Sequence, residues 1–145
     1  MSFFLFIIAI IVLIVLSYGD YLFKTINNKP IFVFGAIGLI ISLFTHNFLA
    51  TVLGMALMTI FGWVLWQKEA VGGADAKILI ALVPYLPFLG IPNMLATLLL
   101  FIIIFGLIGL IYAMIWKKGL RLEVDEIPFV PAIMLSYAIL YFYRF

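Results

Sequence analysis

Long apolar runs, one after another and separated only by short polar breaks, constrain this chain more than any other feature. The runs are continuous and do not alternate between polar and apolar residues. A continuous apolar run of spanning length is a helix signal, whereas a barrel strand alternates. In lipid, only helices and closed barrels satisfy their own backbone hydrogen bonds. The chain of 145 residues is 68% hydrophobic and 10% charged, with a mean hydropathy of +1.39. Soluble domains are roughly half apolar. The sequence therefore predicts an all-α, polytopic membrane protein, a single transmembrane domain over residues 1–145.

A span takes about 20 residues. The predicted spans run Ser2–Gly19, Pro30–Thr45, Phe48–Trp66, Asp75–Leu89, Met94–Trp116 and Pro128–Tyr143, about six in all. The first has no basic lead-in and no small-residue cleavage site, so it reads as a retained helix. The second and fourth are short, and Pro84 and Pro87 end or kink the fourth. Charge supports this count. Lys24, Lys29, Lys68, Lys77, Lys117, Lys118 and Arg121 fall in or beside the odd-numbered loops, and only Arg144 lies on the other side. The positive-inside rule then makes the odd loops cytoplasmic and puts both termini outside.

Composition also excludes chemistry. With no cysteine and only His46, thiolate sites, histidine metal sites and serine–histidine relays are unexpected, and no cofactor is required. No basic cluster suggests nucleic acid. Acids beside apolar spans are costly and usually functional. Asp75 follows the glycine pair Gly72-Gly73 at the start of the fourth span. Asp20 ends the first, where a negative charge opposes the helix dipole. The topology brings both to the same depth on the cytoplasmic side. Two carboxylates in one site share a proton, so one can activate water while the other protonates a carbonyl oxygen.

Gly72-Gly73-Ala74-Asp75 resembles the glycine–any–hydrophobic-or-glycine–aspartate motif of the type IV prepilin peptidase family, which includes the archaeal preflagellin peptidases. Ala76-Lys77-Ile78-Leu79 continues the likeness. Asp20 is similar to the first catalytic aspartate of that family, followed here by Lys24, Ile26 and Asn27. Ile127-Pro128-Phe129-Val130-Pro131 resembles the lead-in to its last helix. The resemblance spans about Gly19–Pro131. Ala74 leans toward archaeal members. The paired-cysteine segment of many bacterial members, and the methyl transfer they add, have no counterpart.

The resemblance implies an aspartic endopeptidase of the cytoplasmic membrane of an archaeon or bacterium, with its active site facing the cytoplasm. Asp20 and Asp75 would be catalytic, and the partners would be prepilin- or preflagellin-type precursors and the lipid bilayer. On physical grounds alone, Gly72 and Gly73 would let substrate backbone approach, and Lys77 would tune the dyad by favouring ionised carboxylate.

Plainer readings stand beside these. Asp75 can serve as a helix cap, and Lys77 can be a snorkelling lysine. Glu69 reads as a solvated loop charge, and His46 as an interfacial residue. The run Glu123, Asp125 and Glu126 balances nearby cations or attracts a basic leader. Gly35, Gly38, Gly106 and Gly109 suit close helix packing, and Trp63, Trp66 and Trp116 suit an interfacial belt. The competing function is a small ion- or proton-coupled transporter or channel subunit, which calls for acids near the bilayer midplane. A scaffold without a site is the third reading.

Overall fold

The computed structural model describes residues 3–23, 28–45, 48–86, 91–119, 127 and 129–143. Among the described residues there are six α-helices: α1 (Phe3–Phe23), α2 (Asn28–Phe44), α3 (Phe48–Gln67), α4 (Gly73–Leu82), α5 (Ile91–Gly119) and α6 (Val130–Tyr143). No strand occurs among the described residues. Among the described residues two helical stretches, Phe48–Gln67 and Asn93–Ile115, are long and apolar enough to cross a membrane. Phe3–Gly19, Asn28–Phe44 and Val130–Tyr143 are apolar but shorter.

The boundaries depart from the sequence expectation in instructive ways. α1 runs one turn past Gly19, so Asp20 lies inside the helix and not just beyond it. α5 has 29 residues and outruns its expected span at both ends. α4 ends at Leu82, and a 3-10 turn, Val83–Tyr85, takes over at Pro84. Proline lacks the amide hydrogen that would continue the helix, so the expected break occurs here. Pro87 and Leu89, the far end of that expected span, lie outside the described residues, as does His46. α4 with its 3-10 turn rises only about 21 Å, short of the ~30 Å hydrocarbon layer.

α4 is nevertheless the centre. Ile78, Leu79, Leu82 and Val83 are completely buried, as expected of a helix apolar on nearly every face. It packs against α2 and α3, and touches α6. In lipid, helices gain nothing by hiding oil from oil, so close approach through small residues carries the packing. Glycine notches provide it. A Cβ on Gly35 would lie 3.3 Å from Ala81 Cβ, and one on Gly62 would lie 3.5 Å from Ala76 Cβ. At Gly38 it would lie 2.6 Å from Pro84 Cβ and 2.7 Å from the Tyr85 ring, which no side chain tolerates. Gly109 meets only the Phe129 ring at ordinary contact, and Gly106 faces open space. The packing role therefore belongs to Gly35, Gly38 and Gly62.

α1 sits at the edge, against α6 and the 3-10 turn, while α5 lies along α6 and α3. Phe6 stacks on Tyr141 with ring centroids 3.9 Å apart, which ties the start of α1 to the end of α6. Ser17 and Tyr18 lie near Pro131 at the opposite ends of the same pair. Buried hydroxyls are answered locally, as Ser136 donates to Ala132 O at 2.6 Å.

Candidate active site

α3 ends in a tight reversal that delivers the glycine pair. Glu69 donates its amide to Trp66 O and Ala70 to Leu65 O, both at 2.9 Å, the bond pattern of a Schellman cap. Glu69 holds the left-handed position of that cap, φ 54°, where glycine is usual. Gly72 then opens α4 in an extended conformation, φ −66° and ψ 155°, and its carbonyl accepts the Ala76 amide at 3.1 Å.

Asp75 is in the first turn of α4 and is 5% exposed. Gly72, and not Asp75, is the N-cap residue. The carboxylate lies at the positive end of the helix dipole. Its Oδ1 is enclosed by protein. A surface carboxylate would keep its water. This one is folded into protein while lying on the first turn of its helix.

The two glycines differ in their surroundings. A Cβ on Gly72 would stand 3.2 Å from Asp75 Oδ2, whereas one on Gly73 would meet the Trp66 indole at an ordinary 3.6 Å. Neither is glycine because of its backbone angles. Gly72 leaves room for the carboxylate. Lys77 is exposed, and its Nζ donates to Asn28 Oδ1 at 2.9 Å. That bond joins the starts of α4 and α2 and is the contact of an interfacial lysine. Trp63 and Trp66 are more than half exposed at the same end of α3, as an aromatic belt requires.

Asp20 lies in the last turn of α1, and its side chain is outside the described residues. Its register is defined by the backbone. The buried stripe of α1 is Phe6, Ala9, Leu13 and Leu16, repeating every three or four residues, and Asp20 occupies the next position. Its end of α1 lies beside the start of α6. The start of α4 lies beside the start of α2 and the end of α3. Only four residues separate the end of α1 at Phe23 from the start of α2 at Asn28, so the end of α1 stays near the start of α2, to which Lys77 ties the start of α4. Asp20 and Asp75 are therefore at one end of the bundle. An open groove of about 390 Å³, lined by Ile14, Ser17, Tyr18, Pro131 and Met134, lies between α1 and α6 at that end.

Phe129, from the expected lead-in to the last helix, opens α6 by accepting the Ile133 amide at 3.0 Å. Its ring packs edge-on against Phe105 of α5. Pro128, Lys24, Ile26, Asn27 and the acidic run Glu123, Asp125 and Glu126 lie outside the described residues. Gly62, Tyr85 and Tyr137 were missed as site-supporting residues. Gly62 had a signal, because Ala50, Gly54, Met58 and Gly62 recur every fourth residue as one buried stripe. The tyrosines had none, for an apolar span with a tyrosine is ordinary.

The type IV leader peptidase family model matches residues 7–114. The match includes Asp20, Gly72, Gly73, Asp75 and Lys77 and stops short of the Ile127–Pro131 segment. No curated protein and no solved structure matches the chain. A match over most of the chain, with a buried aspartate on the first turn of its central helix, places the protein: it belongs to the type IV leader peptidase family.

Proposed function

We propose that this peptidase is an aspartic endopeptidase. It removes the short leader of prepilin- or preflagellin-type precursors at the cytoplasmic face of the membrane. The observation that carries the reading is Asp75, a carboxylate buried at the first turn of a helix enclosed by its neighbours. Asp20, in the last turn of α1 at the same end of the bundle, is its partner. One carboxylate takes a proton from water as the water oxygen bonds to the scissile carbonyl carbon. The other gives its proton to the carbonyl oxygen. Collapse of the tetrahedral intermediate breaks the C–N bond, and a proton passes to the leaving nitrogen.

The chain crosses the membrane six times in this reading, with both termini outside and Lys29, Lys68 and Lys77 on the inner face. Its substrate has a polar leader in the cytosol and an apolar helix in lipid. The groove between α1 and α6 is lined mostly by apolar residues, as that helix requires, and its Ser17 and Tyr18 are within a turn of Asp20. The site lies where substrate backbone leaves the membrane and can extend for attack.

The test is cleavage of a prepilin-type precursor in membranes by wild type, Asp20→Asn and Asp75→Asn, each checked for insertion. Both variants are expected to lose about a thousandfold or more in kcat. Near-normal cleavage by either one removes that aspartate from the mechanism. Wild type that cuts no precursor of either class sinks the substrate assignment and favours ion or proton transport.

A further inference from the structure

The two aspartates belong to different parts of the bundle. Asp20 is on α1, which packs on α6, while Asp75 is on α4, held between α2 and α3. A string of aromatic residues joins the two parts. Phe6 of α1 lies against the Tyr137 ring, centroids 5.6 Å apart. Tyr137 of α6 donates its hydroxyl to Tyr85 O at 3.0 Å. Tyr85 donates in turn to Phe34 O of α2 at 2.8 Å, and its ring lies flat on Phe34 at 4.2 Å and 3°. Tyr137 and Tyr85 are 0% and 1% exposed.

The bonds answer a specific need. Where α4 gives way to its 3-10 turn, backbone carbonyls run out of intrahelical donors. Inside a bilayer no bulk water takes their place. Tyr137 reaches the carbonyl at this break from another helix, one that α1 also touches.

We propose that Tyr137 is a positioning residue that sets the spacing between Asp20 and Asp75. It pins the end of α4 to α6, and through Phe6 to α1, so the two aspartate-bearing parts keep one relative depth. Tyr85→Phe has a different expected effect. It removes a bond between α4 and α2, which lie in the same part, and leaves the bond from Tyr137 intact. This inference rests on the aspartate dyad proposed above only for its catalytic consequence. The geometric consequence stands apart from it.

The chain has no cysteine, so spin labels can be placed at will. Tyr18→Cys and Lys77→Cys put labels on exposed positions beside the two aspartates, and pulsed electron resonance reads their distance in membranes. Tyr137→Phe keeps the ring and removes the hydroxyl. It is expected to broaden or shift that distance, and to lower kcat roughly tenfold to a hundredfold with KM unchanged. Phe6→Ala, a second break in the same string, is expected to move the distance likewise. Tyr85→Phe is expected to leave it in place.

An unchanged distance in both Tyr137→Phe and Phe6→Ala overturns the proposal, whatever happens to kcat. So does an equal shift in Tyr85→Phe, which would make the effect general loosening. A distance that moves while Asp20→Asn or Asp75→Asn still cleaves sinks the dyad and leaves the positioning intact.

Discussion

At the scale of single residues, the glycine pair before Asp75 separates into two roles. Gly72 leaves room for a carboxylate oxygen, and Gly73 lies beside an indole at ordinary distance. Added carbon at Gly72 must displace Asp75 Oδ2 by a few tenths of an ångström, and displacement near a reacting group is expensive in rate. Gly72→Ala is expected to lower kcat by about tenfold or more, with normal insertion. Gly73→Ala is expected to stay near wild type. Steady-state cleavage of one precursor by both variants is the check, and equal losses would remove the distinction. The motif singled out Asp75 in the sequence. Which glycine serves the carboxylate did not show, because that depends on where the side chain turns after the helix begins.

At the scale of elements, α4 is short, irregular at its end and still central. Its packing rests on glycines of its neighbours, and these are unequal. A methyl at Gly38 would overlap Pro84 and Tyr85, whereas Gly106 faces open space. Gly38→Ala is expected to destabilise the fold by about 1–3 kcal/mol. Gly106→Ala, within a helix and free of contacts, is expected to be neutral or to gain up to about 1 kcal/mol. Thermal unfolding in a single detergent distinguishes them, and a Gly38→Ala as stable as wild type contradicts the notch. Both glycines were candidates for close packing in the sequence. Only the neighbours sort them, since a helix surface does not say what it meets. The short fourth span was legible from Pro84, but its burial was not.

At the scale of the whole molecule, the charges and helix ends make one prediction together. The turn holding Glu69 and the start of α4 lie at the end of the bundle where Asp20 also lies. In the proposed topology, that end is the cytoplasmic one. In the cysteine-free chain, Glu69→Cys is expected to react with a membrane-impermeant maleimide only from the cytoplasmic side, and His46→Cys only from outside. Labelling of both from one side would overturn the six-span topology, and labelling of Glu69→Cys from outside would move the proposed site off the cytoplasmic face.

Much of the protein was decided locally. Continuous apolar runs specify helices because lipid leaves the backbone no other partner. Prolines and glycines mark the ends because they cannot continue a helix or need not. The short motif around Asp75, with Asp20 ahead of it, carried the family. Facing was different. In lipid both the inward and the outward side of a helix are apolar, so periodicity carries little information about which side is core. The tertiary structure alone decided that α4 is wrapped by α2, α3 and α6 and that Asp75 is buried. It also decided that Tyr137 joins the part bearing Asp20 to the part bearing Asp75, for such contacts arise between helices far apart in the chain.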